Sequence, residues 1–124
     1  MKRLHIGAYR FVPFLLAIAA TVHAGDIDQQ AALDALQQPD SVLIDVRTAQ
    51  EYAEGALPGA KRIETAELAE RIGAVAPDKN APIVLYCRSG RRSSAAQDLL
   101  QGLGYSQVIN AGAYEDLTSV VQGP

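Results

Sequence analysis

The chain has 124 residues, 48% apolar and 20% charged, with eleven Lys and Arg against fourteen Asp and Glu for a formal net charge of −3. That is the size and composition of one globular domain: too apolar for a disordered chain and too short for two domains of ordinary size. The mildly acidic balance argues against general nucleic-acid binding, and a single cysteine excludes both an intramolecular disulfide framework and an all-cysteine metal site.

Residues 1–24 read as a cleaved secretory signal. Lys2, Arg3 and Arg10 make a positive start, FVPFLLAIAA at residues 11–20 supplies the apolar stretch, and Val22-His23-Ala24 offers compact residues at the cleavage site. The uncharged run over residues 11–25 is short for a membrane span and contains Pro13, so a retained N-terminal anchor is the lesser reading and a core helix the least. The mature domain is then residues 25–124, exported and periplasmic in type, with no stable membrane anchor. Its eight basic residues against fourteen acids give −6, and both histidines, His5 and His23, leave with the signal. Without histidine, a Cys-His or Ser-His pair and a His-ligated metal are excluded, and no cofactor is expected.

The rest of the chain alternates helices and strands. Residues 30–38 carry Ala31, Leu33, Ala35 and Leu36 at helical spacing and stop at Pro39. SVLIDV at residues 41–46 is a continuous apolar run ending in a carboxylate, suited to a strand buried on both faces. Thr48 and Glu51 form a capping-box pattern that opens a short helix ending at Gly55. Leu57-Pro58-Gly59 is turn chemistry, residues 60–63 a short strand, and Thr65 the expected cap of a helix with Leu68, Ile72 and Val75 on one face. PIVLYC at residues 82–87 is the second buried strand. A helix over residues 93–103 follows, then a brief strand at Val108-Ile109 and a last helix over residues 113–121. This order implies an α/β fold, a three-layer α/β/α domain with a mostly parallel central sheet.

Candidate function concentrates in Cys87-Arg88-Ser89-Gly90-Arg91-Arg92-Ser93. The cysteine ends a buried strand and the next residues open a helix, the place where ligands bind in open α/β sheets. A tight turn into a helix N-terminus aims backbone N–H groups inward, making an anion cradle that also favours a thiolate. Three of the eight mature basic residues lie within five positions here. Cys87 is therefore the candidate nucleophile. Arg88, Ser89, Gly90, Arg91, Arg92 and Ser93 are the candidate substrate-binding loop for a small anion, with Arg91 and Arg92 acting chiefly through charge.

These residues carry a resemblance. CRSGRRS at residues 87–93 is similar to the six-residue active-site loop of the rhodanese family of sulfurtransferases, which begins with the cysteine. LIDVRTAQEYAEGALPGAKRI at residues 43–63 resembles the family's upstream signature. Ala56 stands where the family often has His, and Ala111-Gly112 where a Gly-Gly pair is common after the last strand. The resemblance implies a rhodanese-like fold and a small single-domain thiosulfate sulfurtransferase of the exported type. Its partners would be a small anionic sulfur donor and a cyanide or thiol acceptor, a protein sulfur acceptor included. The residue inventory accommodates this chemistry: sulfite is already a good leaving group, so a thiolate can take the outer sulfur of thiosulfate without a general acid.

Other residues read as structural. Asp45, Arg47 and Glu51 are expected to hold loops, Tyr86 to point to the face opposite Cys87 by strand alternation, and Glu64, Glu67 and Glu70 to form a solvated helix face. Two alternatives stand beside the sulfurtransferase. A cysteine phosphatase or arsenate reductase resembles Cys, five residues, then Arg, a position held here by Ser93 with Arg92 one residue early. A non-catalytic rhodanese-like interaction module typically lacks the cysteine that this chain keeps.

Overall fold

The computed structural model describes residues 26–121, so the segment read as a signal lies outside the described residues. Four strands form in chain order: β1 (Val42–Asp45), β2 (Lys61–Arg62), β3 (Ile83–Cys87) and β4 (Val108–Ala113). Five helices join them: α1 (Gln29–Leu36), α2 (Ala49–Glu54), α3 (Thr65–Val75), α4 (Arg91–Gly102) and α5 (Tyr114–Val121). The strands lie side by side as β2-β1-β3-β4, and every pairing is parallel.

Strand alternation explains why β1 and β3 are apolar at consecutive positions. Ile83, Leu85 and Cys87 face one side, packing with Leu68 and Ile72 of α3 and Ala96 and Leu100 of α4. Val84 and Tyr86 face the other, among Ala32 and Ala35 of α1, Leu57, and Leu117 of α5. All five residues of β3 are buried, and helices cover the sheet on both faces as a parallel sheet requires. Full burial of a side chain such as Leu85 or Leu100 stabilises the fold by about 1.5–3 kcal/mol. Tyr86 keeps its hydroxyl paired in the core, where it accepts the Leu57 N–H at 3.1 Å. Burial comes first among the influences on this phenol and raises its pKa, keeping it protonated.

The boundaries depart from the sequence reading in instructive ways. The capping box at α2 is complete: Glu51 N–H donates to Thr48 Oγ1 at 3.2 Å, and Thr48 N–H donates back to Glu51 Oε1 at 2.9 Å. At α3, by contrast, Thr65 is not the cap. Glu64 occupies that position in an extended conformation without a side-chain bond, while Thr65 is already helical and its hydroxyl donates to the Arg92 carbonyl at 3.4 Å. Helix α4 begins at Arg91, two residues before Ser93, because Gly90 adopts the left-handed conformation (φ 94°) that turns the chain sharply out of β3. The last strand runs four residues past Ile109. Asn110, Ala111, Gly112 and Ala113 have weak strand propensity, and pairing with β3 imposes the conformation on them. Ala111-Gly112 therefore lies within the last strand rather than after it. Register shifts there: Leu85 pairs with Asn110 but Tyr86 pairs with Gly112, leaving Ala111 as the extra residue of a bulge.

Candidate active site

Cys87 ends β3 at the carboxyl edge of the sheet, and the turn through Gly90 folds the start of α4 back over its sulfur. Gly90 N–H donates to Cys87 Sγ at 3.0 Å and Ser93 N–H at 3.4 Å. The latter is one of the first-turn donors that a helix leaves without an internal partner. The Ser93 hydroxyl lies 3.4 Å from the same sulfur. Burial pushes the Cys87 thiol up, but these bonds, with the Ser89 backbone, more than offset it, so its pKa falls below the ordinary thiol value. The groups that favour the charged sulfur are backbone N–H donors and one hydroxyl.

The six loop residues divide sharply by burial. Ser93 and Gly90 are buried, Arg92 half-buried, and Arg88, Ser89 and Arg91 exposed. Arg88 extends into solvent, its nearest carboxylate oxygen being Glu51 Oε2 at 3.9 Å. Arg92 makes a two-pronged pair with Glu51, Nη1 to Oε1 at 2.9 Å and Nη2 to Oε2 at 3.1 Å. Arg92 first and the Thr48 backbone second hold the Glu51 carboxyl down from an ordinary 4.5 to about 2. The capping glutamate of α2 thereby ties that helix to the cysteine loop 41 residues later. The sequence pattern pairs Glu51 with Thr48 in the capping box but gives no sign of Arg92.

Asp45 and Arg47 act as the sequence reading expected. Both are buried. Arg47 Nε and Nη2 bond the Asp45 carboxylate at 2.6–3.0 Å, and Arg47 Nη2 also donates to the Gly55 carbonyl at 2.7 Å. The guanidinium stacks 4.2 Å from the Tyr114 ring centroid, locking the end of β1 to α2 and α5. A cleft of about 190 Å³ opens beside these groups, lined by Arg47, Glu51, Glu54, Gly55, Arg88, Tyr114 and Glu115. A larger cleft, about 270 Å³, runs along the outer side of β4, and Cys87 is not among its walls.

Asn110 is the residue that sequence reasoning missed. It is fully buried, and its side chain accepts from Ser93 Oγ at 2.7 Å and from Gly112 N–H at 3.0 Å while donating to the Gly90 carbonyl at 3.2 Å. One signal was available: a lone amide in the buried run VINAGA calls for a polar partner.

A family model for the rhodanese-like domain matches residues 28–118. The chain belongs to the rhodanese family. It is 40% identical over 74 residues to the thiosulfate sulfurtransferase PspE of Escherichia coli (strain K12), covering 60% of this chain and 71% of that protein. It is 32% identical over 90 residues to the thiosulfate sulfurtransferase GlpE of Pseudomonas putida (strain GB-1), covering 72% and 80%. Among solved structures, the human single-domain sulfurtransferase TSTD1 superposes with a TM-score of 0.65 at 28% identity, covering 78% of this chain and 97% of that one. A rhodanese from E. coli solved with anions superposes with a TM-score of 0.60 at 39% identity, covering 61% and 89%. This rhodanese chain retains the cysteine at the centre of its loop, unlike the interaction modules that lose it. At the position where the cysteine-phosphatase pattern has Arg, this chain carries Ser93, buried and tied to Asn110.

Proposed function

We propose that this rhodanese moves sulfane sulfur from thiosulfate, or a related small anionic donor, to cyanide or a thiol through a persulfide on Cys87. The observation that carries the proposal is the ring of donors on Cys87 Sγ from Gly90 and Ser93. In the first half-reaction the thiolate attacks the outer sulfur of thiosulfate. A bond forms between Cys87 Sγ and that sulfur, the bond to the sulfonate sulfur breaks, and sulfite departs with the electron pair. In the second, cyanide or a thiolate attacks the terminal sulfur and Cys87 leaves as a thiolate. No external oxidant or general acid enters either step, which suits a mature chain without histidine. A lowered thiol pKa both populates the nucleophile and improves the leaving group. Ping-pong kinetics follow from the covalent intermediate.

Arg88 and Arg91 are exposed cations of the loop sequence, and their charge favours approach of a dianionic donor. Cys87 itself is buried beneath the turn through Gly90. Mass spectrometry of protein treated with thiosulfate tests the reading. One added sulfur atom on Cys87, removed by cyanide and absent in Cys87→Ser, is the expected result. An unmodified Cys87 would end the persulfide mechanism.

Export belongs to the same reading. The charged start, apolar run and compact residues before Gly25 support removal of residues 1–24 and a periplasmic location. N-terminal sequencing of the exported protein should begin at Gly25 or within a residue or two, and Met1 on a membrane-bound species would refute it.

A further inference from the structure

Cys87 ends β3, the strand that lies between β1 and β4, and the cleft of about 190 Å³ opens on the same edge of the sheet. Its walls come from the segments that follow these three neighbouring strands: Arg47, Glu51 and Glu54 after β1, Arg88 after β3, and Tyr114 and Glu115 after β4. Ligands of open α/β sheets bind outside the carboxyl ends of the strands, which is where this cleft lies.

Most of the charge in these walls is already paired. Arg47 is held by Asp45 at 2.6–3.0 Å and by the Gly55 carbonyl at 2.7 Å, with the Tyr114 ring stacked on its guanidinium. Glu51 is bound by Arg92 on both oxygens. Arg88 extends into solvent with its side chain 78% exposed, where its charge is screened. Two carboxylates are left over. Among the described residues no cation pairs with Glu54 or Glu115, and Glu54 receives the neutral Gln50 amide at 3.4 Å. Glu115 lies in the first turn of α5, where a helix favours an anion. Glu54 has no such support. It is the last residue of α2, at the end where the helix dipole disfavours a carboxylate, and no basic residue of that turn offsets it. A cation in the cleft offsets that mismatch and meets a second carboxylate in Glu115.

We propose that Glu54 and Glu115 are specificity-determining residues for the second half-reaction, and that the preferred acceptor is a small aminothiol whose ammonium lies in this cleft. The proposal rests on the sulfurtransferase reading and narrows the acceptor that it leaves open. The thiolate of the aminothiol attacks the terminal sulfur of the Cys87 persulfide. A bond forms between those two sulfurs, the bond to Cys87 Sγ breaks, and its electron pair stays on Sγ as the thiolate. The product leaves as the persulfide of the aminothiol. The ammonium takes no part in bond-making and acts by holding the acceptor. An anionic thiol meets repulsion from the same two carboxylates, so the cleft selects both for one charge and against the other.

The test is discharge of thiosulfate-loaded protein by two acceptors of similar size, cationic cysteamine and anionic mercaptoacetate, at low salt. Comparing their rate ratio between variants cancels the intrinsic reactivity of each thiol. Glu54→Gln and Glu115→Gln should each lower the cysteamine-to-mercaptoacetate ratio about threefold from the wild-type value, and the double variant about tenfold. The differences should shrink at about 0.5 M salt. Glu70→Gln removes an acidic charge from the exposed face of α3, outside the cleft, and should leave the ratio within about 1.5-fold of wild type. A ratio unmoved in the double variant, or moved as far by Glu70→Gln, would overturn the proposal. Cys87 is the one cysteine of the chain, so charged methanethiosulfonates give a second reading that needs no sulfur transfer. The rate of Cys87 modification by the trimethylammonium-ethyl reagent, relative to the sulfonato-ethyl reagent, should fall by similar factors in the same variants. Failure of thiosulfate to load Cys87, with this second ratio falling, would remove the sulfurtransferase reading while upholding the preference of the cleft for cations. A loaded persulfide with both ratios flat would overturn the acceptor proposal alone.

Discussion

Glu51→Gln separates the charge of the Glu51–Arg92 pair from its geometry. Glutamine still serves at the third position of a capping box, so the start of α2 at Thr48 is preserved while the negative charge is removed. Two consequences of opposite sign follow. Stability should fall: the Glu51 carboxyl is held near 2 against an ordinary 4.5, so it contributes stability fully present above 4.5 and lost as pH falls through about 2. The full shift would correspond to about 3 kcal/mol, but the Arg92 side chain is 39% exposed, and solvent screening reduces the expectation to about 1 kcal/mol. Urea unfolding should therefore show the variant about 1 kcal/mol less stable than wild type at pH 7, with the difference shrinking to nothing between pH 4.5 and 2. The donor should meanwhile bind better. With Glu51 neutral, Arg92 carries an uncompensated positive charge beside Cys87, worth about 1 kcal/mol or roughly a fivefold lower thiosulfate KM at low salt. Arg92→Ala should do the reverse, raising KM roughly fivefold by leaving the Glu51 carboxylate bare. Steady-state thiosulfate:cyanide kinetics across a salt series would measure both. A KM that rises in Glu51→Gln, or that does not respond to salt in either variant, would refute the view that this pair sets the charge of the pocket.

Other expectations follow from single contacts. Arg91→Ala, which removes an exposed charge, should raise the thiosulfate KM by about twofold at low salt and less at high salt, and Arg88→Ala should do least; equal effects would show a shared rather than local field. Gly90→Ala would force φ 94° on a side chain whose Cβ would lie 2.7 Å from Ile27 Cδ1. A stability loss of about 1–2 kcal/mol and a raised Cys87 pKa should appear together in melting and alkylation measurements. Tyr86→Phe should cost about 1–2 kcal/mol in urea by leaving the buried Leu57 N–H unpaired, with the Cys87 pKa unchanged because the ring lies on the opposite face of the sheet. Leu100→Ala should cost about 2–5 kcal/mol by opening a cavity under α4, with activity per folded molecule largely retained.

What the sequence by itself determined is whatever local pattern can encode. Continuous apolar runs marked β1 and β3, the Thr48–Glu51 spacing marked a complete capping box, and alternation placed Tyr86 and Cys87 on opposite faces. The cysteine, glycine and arginines of the loop were legible because a strand end running into a helix start is itself a local signal. Tertiary structure decided the rest. Strand β4 continues through Asn110, Ala111, Gly112 and Ala113 only because β3 lies beside it, and no propensity in those residues announces it. Ser93 reads in sequence as a helix-opening residue, yet its side chain joins Cys87, Gly90 and, 17 residues away, Asn110. Arg92 reads as a free cation until the fold brings Glu51 against it from 41 residues upstream. The reason is physical: helix and strand periods fix which way a side chain points within its own element, whereas the partner it meets depends on which strands are neighbours. Here the order β2-β1-β3-β4 places the α2 end of β1 and the carboxyl half of β4 on either side of the strand that ends in Cys87.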